Sequence, residues 1–215
     1  MSKRAAFFFD RRALLVTGLS TVALGACSSI IGPPEPAPLY MLKGAPMPAG
    51  GGPRVPWQVS VVLPDAPDSL DTARIALVQP GDQLDYYANS SWQDRLPFLV
   101  QSALLDAFES SGRITSVGRD TDGLKSDYLL LTDIHDFQAR YDVADTPPTA
   151  VIKLSVKLIA ARTRTIAQAT TVGKEVPTTQ NSVPAVVAAF NQALGGTMAQ
   201  TVSWALNAPM PARQA

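Results

Sequence analysis

The sequence has almost none of the side chains that carry chemistry. Its 215 residues include one cysteine, Cys27, and one histidine, His135. A single thiol cannot close a disulfide within the chain or build a site of several thiolates. A single histidine excludes centres held by two or three imidazoles, and no serine elbow or paired-histidine motif is present to support hydrolysis. Basic and acidic residues balance at 18 each, so the chain has no basic stripe of the kind that nucleic acid requires. Gly50, Gly51 and Gly52 precede a proline and no helix, which excludes a phosphate cradle. The apolar run at residues 13–24 stops well short of the roughly 20 residues that cross a bilayer.

That short run is the first informative feature present. Lys3, Arg4, Arg11 and Arg12 form a basic region before it, and its length falls within the roughly 7–15 residues of a signal core. It ends in Leu24, Gly25, Ala26 and Cys27, where the two small residues leave room for a peptidase to reach the bond before the cysteine. The segment resembles a bacterial lipoprotein signal with its lipobox. The resemblance implies cleavage after residue 26 and a diacylglyceryl group on the Cys27 thiol, which becomes the first residue of the mature chain. An ordinary secretory signal that ends near a cysteine is the plainer alternative. Arg11 and Arg12, followed by Ala13, Leu14 and Leu15, also look like a twin-arginine export signal; an incidental arginine pair fits as well, so the export route stays open. Ser28 favours the outer membrane by resemblance, because an Asp at that place retains lipoproteins of enteric bacteria in the inner membrane.

Lipidation would move the protein from soluble to anchored, since each buried methylene contributes about 0.8 kcal/mol and stable anchoring needs more than one chain. It would also consume the only thiol, leaving core packing alone to hold the fold in an oxidising compartment. No cofactor is expected beyond the covalent lipid. Removal of residues 1–26 takes four basic residues and one acidic residue from balanced totals of 18 and 18, leaving a net charge of −3.

Residues 27–56 read as the lipidated cysteine and a tether rich in proline and glycine, a composition that cannot form helix. Within it, Leu39, Tyr40, Met41 and Leu42 form an apolar island suited to a strand at a sheet edge. Residues 57–208 read as one domain and 209–215 as a tail.

Inside the domain, residues 58–63, 74–78 and 83–87 have strand composition and are separated by proline- and aspartate-rich turns. Leu96, Leu99, Val100, Ala103, Leu104, Ala107 and Phe108 recur at helical spacing. Asp94 as N-cap places Pro97 in the first turn, and Gly112 is placed to stop the helix. Residues 128–141, 150–160 and 165–176 alternate as strands and suggest an antiparallel meander. A second helix begins after Ser182, with Pro184 in its first turn, and Val183, Val187, Phe190, Leu194, Met198, Val202 and Ala205 continue one face. The expected class is α+β, a two-layer sandwich of an antiparallel sheet with two amphipathic helices packed on one face.

Candidate reactive groups are few. His135 lies beside Asp133, Asp136 and Phe137 in a strand-like run; it reads either as an oriented base or as a histidine at the sheet surface, and nothing else in the chain completes a catalytic set. Asp65, Asp68, Asp71 and Asp82 sit in turns, where aspartate is favoured for local hydrogen bonding. No catalytic or metal-binding residue is therefore assigned, and Cys27, as the lipidation site, is the one candidate functional residue.

Several strings in order are similar to one family. Cys27 and the island at Leu39 precede Arg74, Ile75 and Ala76. The stretch from Tyr86 through Asn89 to Trp92 runs into Leu96 and Pro97. Ser111 and Gly112 lead to Val117, Asp127 and Tyr128 open the long strand, and Val186 to Leu194 in the last helix match most strongly. The chain resembles the ABC-type transport auxiliary lipoproteins, which include the paraquat-inducible protein C lipoproteins. The resemblance implies a non-enzymatic subunit anchored at the periplasmic face of the outer membrane. It would dock with or receive from an Mce/MlaD-domain protein and its ABC permease and ATPase, which move lipids or other hydrophobic molecules. Homo-oligomer formation is left open. Two other readings stand beside it: an assembly lipoprotein that supports an outer-membrane β-barrel, and a periplasmic carrier that holds lipid between helices and sheet.

Overall fold

The computed structural model describes residues 37–44, 52–123 and 125–210. The signal segment, Cys27, Ser28 and much of the expected tether lie outside the described residues. The chain enters its compact unit at Ala37, twenty residues before the expected start at Trp57. The physical reason is that the apolar island is part of the fold. Strand β1, Leu39–Tyr40, pairs with the sheet, and Leu42 is buried.

The sheet is organised around β6, Tyr128–Arg140. On one side it pairs antiparallel with β7, Thr149–Ala160, which pairs antiparallel with β8, Thr165–Pro177. This is the meander that the alternation in the sequence suggests. Along its other edge β6 carries two strands end to end. β2, Gln58–Val61, runs parallel beside Tyr128, Leu129 and Leu130. β3, Arg74–Gln79, runs parallel beside Ala139 and Arg140. Between them Asp65 bridges to Asp133, with the Asp65 N–H donated to Thr132 O at 2.9 Å. Outside these lie β5, Ser116–Arg119, parallel to β2, and β4, Gln83–Trp92, antiparallel to β3. β1 closes the edge parallel to β4.

The architecture is thus α+β in two layers, as expected, but the sheet is mixed. The parallel pairs arise because the link from β2 to β3 keeps the chain running in one direction along β6. β4 is also longer than its apolar pattern suggested and reaches Trp92.

Both helices form where apolar spacing predicts them. α1, Leu96–Ser111, has Pro97 in its first turn and stops at Gly112, whose φ of 63° favours glycine. Its N-cap is Arg95, one residue beyond the expected Asp94, because the Asp94 carboxylate accepts the Arg95 N–H at 2.7 Å and reaches no helical N–H. α2, Val183–Ala205, starts after Ser182, which adopts the extended N-cap conformation without a side-chain capping bond.

The core lies between this helix pair and one face of the sheet. Leu130, Ile134, Phe137, Ile152, Leu154, Val156 and Leu158 are buried. A bulge between Ile134 and Asp136 inserts His135 as the extra residue. Ile134 and Phe137 are three apart and would face opposite ways in a regular strand; the bulge lets both point inward. Phe190 of α2 stacks on Phe137 with ring centroids 5.1 Å apart and meets the edge of Trp92 at 5.5 Å. Three elements distant in sequence are joined by that cluster. Thr197 and Thr201 are buried in α2, where each hydroxyl donates to the carbonyl four residues back, both at 2.9 Å.

Candidate functional site

Cys27, the candidate functional residue, lies outside the described residues. The nearest described part of the chain is the segment from Ala37 to Gly44. In it Tyr40 and Leu42 turn inward, while Leu39 and Met41 are 67% and 52% exposed. The Lys43 N–H donates to Asn191 Oδ1 of α2 at 2.7 Å and fixes the segment on the helix layer. Met41 and Phe98, from the first turn of α1, line one groove of about 670 Å³ together with Lys43, Asp94 and Asp106. The Arg95 guanidinium lies 5.6 Å from the Phe98 ring centre and is paired with Asp71, Nε to Oδ1 at 3.0 Å.

A second groove, of about 690 Å³, opens on the sheet where β6, β7 and β8 run side by side. Gly173 lines it, and Val151, Lys153, Gln138 and Asp136 lie beside it. Arg140 holds Glu175 in a two-pronged ion pair at 3.2 and 2.9 Å and also reaches Asp142 at 3.3 Å. The hydrogen bonds that Arg140 donates hold the Glu175 carboxyl below its ordinary value, and the same bonds to Glu175 raise the guanidinium. The groove therefore presents both signs of charge beside apolar surface from Val78, Val151 and Val172.

At the end of the sheet, Tyr87 and Tyr141 share a hydroxyl bond of 2.8 Å, and Tyr141 donates to Asn181 at 2.8 Å. Burial, then the bond to Tyr141, pushes the Tyr87 hydroxyl far up, so it stays protonated and serves as a bracing contact.

His135 is exposed at the bulge. Its neighbour Asp133 pairs with Lys157 at 2.9 Å, and Asp136 accepts from Gln138 at 2.8 Å. The turn aspartates do more than meet solvent: Asp65 bridges to β6 and Asp71 grips Arg95. Among the described residues no cluster of three or more histidine, cysteine or carboxylate side chains could hold a metal, and no helix is long and apolar enough to cross a membrane. Trp92 and Phe190 are core residues, whereas Tyr86 is half-buried under the Arg74 guanidinium, 3.6 Å from its ring centre. Sequence reasoning missed the Arg140–Glu175 pair, whose members lie 35 positions apart. The outward facing of Leu39 and Met41 was not readable, because all four residues of the island are apolar.

A mixed sheet covered on one face by two helices, with packed aromatics between the layers, defines a two-layer α+β domain. The crystal structure of protein XCC0632 from Xanthomonas campestris, a DUF330 protein, superimposes with a TM-score of 0.74 at 29% identity, covering 79% of this chain and 95% of that one. A second solved structure, of an uncharacterised protein, gives a TM-score of 0.61 at 16% identity over 78% of this chain and 97% of the other, a likeness of fold. The chain belongs to the family of ABC-type transport auxiliary lipoprotein components, whose model matches residues 40–202. An uncharacterised protein of Bradyrhizobium diazoefficiens, bll6063, is 30% identical over 151 residues. That match takes in 68% of this chain and spans 38% of the relative's length.

Proposed function

We propose that this chain is a lipid-anchored, non-catalytic subunit at the periplasmic face of the outer membrane. It docks with, or receives cargo from, an Mce/MlaD-type ABC transport system that moves lipids or other hydrophobic molecules. The observation that carries the reading is the match to the ABC-type transport auxiliary lipoprotein family across residues 40–202, following a lipobox at Cys27. Two further features support it. The grooves are mixed in polarity, and the space between helices and sheet is filled by Trp92, Phe137 and Phe190. The filled interlayer space speaks against a carrier that holds lipid there.

The test is to cross-link cells briefly, solubilise the envelope in mild detergent and recover the chain through a C-terminal tag. Co-recovery of an Mce-domain protein, a permease or an ATPase is the expected result. Recovery of a β-barrel protein alone would replace the reading with a role in barrel assembly. Recovery of neither, with lipid found in the purified domain by mass spectrometry, would favour the carrier.

A further inference from the structure

The place where the chain enters the domain carries exposed apolar side chains on two neighbouring elements. Leu39, Met41 and Phe98 are 67%, 52% and 40% exposed. Leu39 and Met41 lie on the outer side of one extended segment, and Met41 and Phe98 share a groove. Phe98 is the outward residue of a helix turn whose neighbours Pro97, Leu99 and Val100 are all buried. Other exposed large apolar residues, such as Leu63, Leu84, Val143 and Ile166, belong to separate loops and strand ends, an ordinary scatter. Lys43 is exposed at the patch, the Arg95 side chain beside Phe98 is paired with Asp71, and the exposed Asp94 and Asp106 line the same groove.

We propose that Leu39, Met41 and Phe98 rest in the headgroup layer of the membrane that holds the lipid anchor, and so set which side of the domain faces the bilayer. The inference rests on the anchored reading above. Chain length selects this occupant. Ala37 follows Cys27 by ten residues, and Pro33, Pro34 and Pro36 lie between them. Ten residues span at most about 36 Å, and about 31 Å in a polyproline conformation. The patch is therefore the part of the domain with the shortest covalent path to the acyl chains. Three side chains fall well below the roughly 1,000 Å² that a stable protein interface needs. Against a bilayer that area suffices, because the tether makes the contact intramolecular and raises its effective concentration to about the millimolar range. The long side chain of Lys43 can extend toward lipid phosphates while its stem covers apolar surface.

The test uses the full lipidated chain, in which Cys27 carries lipid and a single introduced cysteine takes a nitroxide label alone. Leu39→Cys, Met41→Cys, Phe98→Cys and, as a distant control, Ile166→Cys are bound to vesicles of phosphatidylethanolamine and phosphatidylglycerol. Binding is checked by flotation. The accessibility of each label to oxygen and to a water-soluble nickel chelate is then compared with the same label on the unlipidated Cys27→Ser chain in buffer. The oxygen-to-nickel ratio is expected to rise several-fold at positions 39, 41 and 98 on vesicles and to stay unchanged at 166. A chain that floats while positions 39 and 41 remain as aqueous as 166 would overturn the inference and leave the anchor intact. A chain that does not float would overturn both.

Discussion

Gly173 shows how much a single atom can decide in this sheet. A Cβ built there would lie 2.4 Å from the Ile152 carbonyl oxygen and 3.2 Å from the Lys153 Cα, both in the backbone of the neighbouring strand. Gly173→Ala must push β8 off β7, and overpacking of this kind costs about 1–3 kcal/mol. The expected result is a lower urea midpoint with an unchanged slope; an unaltered midpoint would mean that the edge strand yields freely. Glu175, two residues on, illustrates a small effect with a definite sign. Its carboxyl is held below the ordinary value by Arg140, so its stabilisation is fully present above that ordinary value and is lost as the pH falls through the lowered one. Arg140 and Glu175 are 40% and 56% exposed, and solvent screening limits such a pair to less than about 1 kcal/mol. Glu175→Gln should therefore lower stability slightly at neutral pH and not at all in strong acid, as urea midpoints at the two conditions would show. A loss that persists in acid would assign the effect to packing.

At the scale of elements, the best-read parts were those in which one face is buried and the other wet. The alternation of Ile152, Leu154, Val156 and Leu158, all buried, located β7, and the stripe from Val187 to Ala205 located α2. Local periodicity reports such faces directly. It does not report which strands pair, so the parallel placement of β2 and β3 along one edge of β6 was not legible. Nor was the bulge at His135, because a single extra residue leaves composition unchanged. The segment Leu39 to Leu42 was legible as an edge strand and closes the sheet edge as expected, but the sequence partition left it in the tether, although it contributes a buried leucine to the domain. A chain that begins at Trp57 would lose the β1–β4 pairing, the Lys43–Asn191 bond and the burial of Leu42. Leu42 alone represents about 1.5–3 kcal/mol. Compared with a chain that begins at Ala37, the shorter one should unfold at clearly lower urea concentration. Equal midpoints would mean that the domain boundary does lie at Trp57.

For the whole molecule, the candidate site was legible in the sequence only as an anchor, Cys27, and the folded domain adds the surfaces that the anchor would position. Under the proposed function two separable quantities matter, attachment and reach. Cys27→Ala removes attachment and should yield unprocessed or soluble chain, read by fractionation and by the mass of the N-terminal peptide; membrane retention with normal cleavage would refute the lipobox. Reach is set by the residues between Cys27 and Ala37, each contributing at most about 3.6 Å. Deleting residues 29–34 would leave the lipobox and the fold untouched while removing about 20 Å of span. If the domain works by meeting a transporter subunit across the periplasm, this deletion should keep lipidation and membrane fractionation normal but sharply reduce cross-linking to that subunit. Replacing the six residues with an unrelated proline-rich stretch of equal length should restore it, because only the span has been returned. Restoration by no sequence other than the native one would mean that these residues are themselves contacted by the partner.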